Sequence, residues 1–273
     1  MSLTEMQSGK LSTALVAARA GQKATDSFPG DVPATPKAAY AVQHAGIRER
    51  GHGLAGFKVG GVPPEFADAF PGGWLAGPVS DRQVYRVEDG GTVDVPAFDG
   101  GMAAYEAEFI LTLSGLEALD GPVETLESAR DFISAINIGA EIAGSPFRGT
   151  NALGPGAIIA DFGVQGGVIV GPKVELSEMG RLDASKVVVT IDADASFTAY
   201  PRLDAQGPFG ALRFLLNHIQ TLPDNIQVPD SLLLSSGAIT GVHQSRTDTS
   251  ATFDFGRYGR FTVRLFPHTQ STD

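Results

Sequence analysis

The sequence predicts an α+β fold, with a small helical N-terminal region and a larger mixed, β-rich body. Three observations carry this. The first fifty residues space their apolar side chains for helices, and the chain after Gly56 breaks into short β-type runs. Few of those runs alternate with helices in the way a doubly wound parallel sheet requires.

Taken in order, Leu11, Ala14, Leu15 and Ala18 recur at three- and four-residue spacing and predict a first helix, and Pro36 to Arg50 a second. GQKATDSFPGDVPATP between them is rich in turn formers. The β-type runs are FKVG, VYRV, TVDVP, YEAEFILTL, GGVIVGP, KVVVTIDA, ASFTAYPRL, SLLLSSGAIT and ATFDFGRYGRFTVRLF. Helices are expected to interrupt them at about 125–138 and 208–220, the second marked by Pro208 and by Phe209, Leu212, Leu215, Leu216 and Ile219. The division expected is 1–80, mainly helical and contributing Lys58, and 81–273, a β-rich catalytic domain.

Composition narrows the function classes. With 42% hydrophobic and 19% charged residues over 273 positions, a sizeable core is expected. A net charge of -11 argues against nucleic acid or an anionic membrane surface as the main partner, since both require clustered Lys and Arg. Cysteine is absent, which removes disulfides, thiolate metal sites and a cysteine nucleophile. No apolar run reaches the roughly 18 residues of a membrane span, and MSLTEMQSGK lacks a secretory apolar core, so a cytoplasmic location is expected.

YEAEFILTL is apolar enough for a core strand except at two positions. Side chains alternate across a strand, so Glu106 and Glu108 share one face with Ile110, their Cα atoms about 6.5 Å apart. Either something positive lies between them or they decorate a solvated face, because burying unpaired like charges costs several kcal/mol or forces protonation. Hard oxygen ligands of this kind suit Mg²⁺, Mn²⁺ or Ca²⁺. Glu141, set among Ile136, Ile138, Gly139, Ala140 and Ile142, is the candidate for a third carboxylate. Lys58 in AGFKVGG is the mirror-image case, either an acid/base group with a perturbed pKa or a lysine whose stem packs while its ammonium reaches water.

Other motifs carry less. GHGLAG matches the dinucleotide string, but a helix precedes it and a strand follows, the reverse of the required context. IDADAS reads as a hairpin turn, and the histidines at 44, 52, 218, 243 and 268 form no HxxxH or HxH pattern. No GxSxG elbow is present. Ser235-Ser236 before Gly237 is open to two readings, a substrate carboxylate site or turn chemistry.

In sequence order, FKVG with Lys58, GPVSD with Asp81, YEAEFIL with Glu106 and Glu108, GAEIAGS with Glu141, Asn151, PFGALRFLLNHI and LLLSSGAITG resemble the hydratase/decarboxylase branch of the fumarylacetoacetate hydrolase superfamily. The resemblance covers nearly the whole chain and implies the mixed β-rich sandwich or roll of that superfamily. It implies that Glu106, Glu108 and Glu141 bind Mg²⁺ or Mn²⁺, which chelates the carboxylate and 2-oxo oxygens of a small 2-oxo or 2-hydroxy-dienoate acid. It implies a hydratase that adds water to a 2-hydroxy-2,4-dienoate to give a 4-hydroxy-2-oxo acid, as in aromatic catabolism. Lys58 and Asp81 would move protons, Asn151 and Ser236 would bind substrate, and the protein would be a homo-oligomer.

Alternatives follow from the same resemblance. A 4-oxalocrotonate-type decarboxylase would use the same electron sink, and an acylpyruvate C–C hydrolase would need a further acid/base pair, with His52 as an arguable member. Three positions depart from the hydratases. Gly144 stands where they carry aspartate, Leu153-Gly154 where they carry Ser-Ser, and Ala238 where they carry Ser or Thr. All three are expected on the substrate side, and they keep open a binding or partner subunit without turnover.

Overall fold

The computed structural model describes residues 5–21 and 24–267. His268 and the rest of the C-terminal tail lie outside the described residues, as do Gln22 and Lys23 of the connector. Helices α1 (Glu5–Ala20) and α2 (Pro36–Arg50) pack on each other. Pro36 opens α2 where no backbone N–H is needed, and Thr35 Oγ1 accepts from Ala38 N. Gly51 closes it in the left-handed region at φ 62°. GHGLAG is therefore a helix end leading into a strand.

That strand is β1 (Leu54–Gly61), followed by β2 (Trp74–Ser80), β3 (Val84–Arg86), β4 (Thr92–Ala97) and β5 (Met102–Leu113). Next come α3 (Leu126–Arg130), β6 (Ile133–Ser145), α4 (Pro155–Ala160), β7 (Gln165–Val174), β8 (Val187–Ile191) and β9 (Ala195–Ala199). The chain continues through α5 (Pro208–Ile219), β10 (Leu232–Ser235), β11 (His243–Ser245), β12 (Ser250–Asp254) and β13 (Arg260–Pro267).

Two sheets form. One runs β2-β1-β10-β5-β6-β7-β3, with β11 also on β5, and the other β4-β13-β12-β8-β9. Most pairings are antiparallel, but β1 runs parallel to β10, β3 to β7 and β4 to β13. The main core lies on one face of β5, where Tyr105 meets Phe253 and Phe109 meets Phe255, with ring centroids 6.1 and 5.8 Å apart. Helix α5 adds Phe209, Leu212, Leu215, Leu216 and Ile219, its five expected apolar positions, to the same core. The α+β, β-rich class is as the sequence predicted.

Several elements differ from expectation, among them α4 and β11, which no expected helix or β-type run covers. The helix expected at 125–138 is confined to α3, and from Ile133 the chain is β6. Leu113 pairs with Ile133 while Thr112 pairs with Ala135, so Ser134 bulges out and Ile133 and Ile136 both reach the core. That bulge gives a strand the three-residue spacing of a helix. Strand β2 was not expected because WLAGPVS contains Gly77 and Pro78; it is an edge strand, where proline is tolerated.

Candidate metal centre

The face of β5 opposite the core carries Glu106 and Glu108, 6% and 0% exposed. They are not a solvated strand face. Glu141 on β6 is directly opposite Glu106 in the antiparallel ladder and so projects to the same side. Lys58 on β1 is level with Ser235 of β10, which in turn is level with Ile110 of β5. Four adjacent strands thus bring one ammonium and three carboxylates together. Lys58 Nζ lies 3.0 Å from Glu141 Oε1, and Ser235 Oγ donates to Glu108 Oε2 at 2.5 Å.

The electrostatics follow from burial. Burial alone would lower the Lys58 pKa, but Glu141, Glu106 and Glu108 outweigh it and hold the ammonium above its ordinary value. Burial raises all three carboxyl groups against the opposing pull of Lys58. One ammonium does not neutralise three carboxylates. A dication together with Lys58 does, leaving the ionised group neutral.

The donor set fits such an ion. One oxygen from each of Glu106, Glu108 and Glu141 can be chosen so that all lie within 4.8 Å of one another, near twice the ~2.1–2.6 Å of hard cation–oxygen bonds. Glu108 Oε1 and Glu141 Oε2 are buried without a hydrogen-bond partner among the described residues. Buried acceptors are rarely left so. Above them opens a cavity of about 780 Å³, whose walls include Lys58, Glu106, Trp74, Asn151, Ser236 and Val164.

No family model matches the chain, and no curated protein matches it by sequence. Among solved structures it is similar to 4-oxalocrotonate decarboxylase from Pseudomonas putida G7 complexed with calcium and acetate, with a TM-score of 0.77 over 97% of this chain and 99% of that one, at 20% identity. The same enzyme complexed with magnesium and adipate gives 0.76, again at 20% identity over 97% and 99% of the two chains. The chain has the fumarylacetoacetate hydrolase fold. Fumarylpyruvate hydrolase from Pseudomonas aeruginosa, in complex with Mn²⁺ and pyruvate, is similar over 78% of this chain and 89% of that one, with a TM-score of 0.51 and 13% identity.

On this fumarylacetoacetate hydrolase fold, the other candidates fall unequally. Asn151 and Ser236 line the cavity, although the Ser236 hydroxyl is engaged by the Phe109 carbonyl at 2.7 Å. Asp81 is not brought to the cavity. It is exposed just past the far end of β2, where Ser80 Oγ donates to its Oδ1 at 3.2 Å, with His52 as a neighbour. Of the three departures, Ala238 alone lines the cavity, a correction to their expected common location. Leu153 is 43% exposed away from it, and the Gly144 carbonyl is bound by Arg19.

Arg19 belongs to a constellation the sequence reading missed. Its Nε lies 2.6 Å from Asp161 Oδ1, and its terminal nitrogens donate to the carbonyls of Gly144, Asp161 and Gln165, each at 2.9 Å. Between Asp161 and Gln165, Phe162, Gly163 and Val164 have φ of 56°, 69° and 52°. Three left-handed residues in succession are costly, ~1–2 kcal/mol for each that is not glycine, and a β-branched one is an outlier. The available signal was Asp161 in AIIADFGV, an acid after an apolar run like Glu141.

Proposed function

We propose that this protein is a divalent-cation-dependent lyase that decarboxylates an unsaturated 2-oxo-dioate. The observation that carries this is the cluster of three buried carboxylates around a single buried ammonium, of which Glu106 and Lys58 reach the cavity wall. Glu106, Glu108 and Glu141 would hold Mg²⁺ or Mn²⁺, which when bound supplies Lewis acidity toward the carboxylate and 2-oxo oxygens of the acid. Everything else is done by side chains of this chain. Lys58, kept protonated by its carboxylate neighbours, donates a proton to the enolate as the C–C bond to carbon dioxide breaks and its electron pair enters the conjugated 2-oxo system. The apolar walls at Trp74, Leu75 and Ile158 exclude water from that carbon.

Decarboxylation is favoured over water addition by what lines the cavity. Among its described lining residues the one carboxylate is Glu106, committed to the cation, and there is no histidine. Adding water requires a base to take its proton, and Asp81 is remote. The second reading, the hydratase, is supported by the polar residues Asn151 and Ser236, which line the same cavity as Lys58.

The test is calorimetric titration of cation-free protein with Mg²⁺ and Mn²⁺, then oxalate, in the wild type and in Glu106→Gln combined with Glu108→Gln. Oxalate binding that needs the cation and vanishes in the double variant supports the chelating site. Carbon dioxide release from a 2-oxo-hexenedioate then distinguishes decarboxylation from formation of a 4-hydroxy-2-oxo acid. Cation-dependent oxalate binding with neither product would favour a binding subunit, and a wild type that takes up neither cation overturns the reading.

A further inference from the structure

The left-handed run 162–164 lies against the one lysine of the cavity. A Cβ built on Gly163 would stand 3.0 Å from Lys58 Cδ and 2.7 Å from Gly77 Cα. The lysine stem and the backbone of β2 therefore both press on a residue that has no side chain. Gly77 returns the contact, since a Cβ there would strike the Phe162 carbonyl and Gly163 Cα. Lys58 carries its ammonium to the cluster of acids, and its aliphatic stem lies close against the backbone at Gly163.

The run is clamped at both ends by the N-terminal helices. Arg19 of α1 binds the Asp161 carboxylate and carbonyl on one side and the Gln165 carbonyl on the other. The second Asp161 oxygen accepts from Ser145 Oγ at 2.6 Å, at the end of β6, the strand that bears Glu141. The Phe162 ring is covered by Arg50 of α2, whose guanidinium carbon is 4.5 Å from the ring centre, and its edge packs so closely on Gly46 that no Cβ fits there. A backbone this disfavoured persists only where its surroundings over-determine it.

We infer that Arg19, Asp161 and Gly163 are positioning residues, which hold the 162–164 run in its left-handed form so that it fixes where the Lys58 ammonium sits over the three carboxylates. The inference rests on the proton-donor role proposed for Lys58. It assigns the helical N-terminal layer a part in the chemistry that contact with substrate would not reveal, because neither Arg19 nor Asp161 lines the cavity.

The experiment compares the wild type with Gly163→Ala and Asp161→Asn, the second nearly isosteric in case the first does not fold. Each is assayed for cation affinity by calorimetry, for kcat and KM on the 2-oxo-dioate, and for the ¹H–¹⁵N signal of the Lys58 ammonium in cation-free protein, assigned by its loss in Lys58→Met. The expected pattern is a roughly ten- to hundredfold fall in kcat with KM and cation affinity within about twofold, together with a displaced or broadened ammonium signal. An unchanged ammonium signal and unchanged kcat in a folded variant overturn the inference. So does a loss of cation affinity equal to the loss of kcat, which would mark a general collapse of the site. If the wild type binds no cation, the proposed function fails, while the ammonium signal still decides whether the clamp governs Lys58.

Discussion

At the level of single residues, the candidate site is a problem in charge placement solved by strand register. Glu106 and Glu108 share a face because they alternate, Glu141 joins them because it is level with Glu106, and Lys58 reaches them across β10. Removing the ammonium leaves three buried acids without their cation, and breaking a buried pair from one side typically costs about 3–5 kcal/mol. Lys58→Met is therefore expected to lower the unfolding free energy of cation-free protein in urea by about 3 kcal/mol at pH 8. Turnover should fall by about 10²–10⁴, the usual contribution of a positioned proton donor. An unchanged urea midpoint would show that the acids carry no buried charge in the folded state. This cluster was legible in the sequence because alternation and apolar flanks are local signals. The Arg19–Asp161 pair was not, since its partners are separated by 142 positions and neither arginine nor aspartate stands out on its own element.

Elements show the same division. Helix α5 was readable from Pro208 and one apolar stripe, whereas β6 imitated a helix through its bulge at Ser134 and β2 was hidden by Gly77 and Pro78. Local period decides only where the ladder is regular. Helices α2 and α5 also meet through aromatic rings. Tyr40 lies between His44 and His218, with centroid distances of 5.9 and 4.7 Å, and the Nε2 of both histidines is buried without a partner among the described residues. Burial depresses both to about 4 from an ordinary 6.5. The folded state thus prefers them neutral, so their contribution to stability is fully present above pH 6.5 and is lost as pH falls toward 4. Urea unfolding at pH 7.5 and 5 should show that loss, and His218→Phe should reduce its slope. An equal pH dependence in that variant would mean that His218 takes a proton without cost.

For the molecule as a whole, a bound cation is a stabiliser by mass action, since its ligands come together only in the folded chain. At a hundredfold excess over its dissociation constant it should add about 2.7 kcal/mol. Thermal unfolding with and without Mn²⁺ measures this, and Glu106→Gln combined with Glu108→Gln should abolish the difference. A Tm rise that survives in the double variant would locate the ion elsewhere. The fold class and the order of the larger elements followed from the sequence, but the junction of two sheets with α1 and α2 did not, because parallel and long-range pairings leave no mark within a window of residues.

The parallel pairing of β1 with β10 has a consequence for how the chain is made. Phe57 is level with Leu234 and Lys58 with Ser235, so a central strand must wait for a partner more than 170 residues downstream. At about 5–20 residues per second, β1 leaves the ribosome some ten to thirty seconds before that partner exists. Until then it has only β2, with which it forms an antiparallel hairpin. The slot between β1 and β5 stays open until β10 has been made, and β13, the partner of β4, follows later still. The acids of β5 and β6 can meet early, but the lysine joins them only when the C-terminal third of the chain closes the sheet.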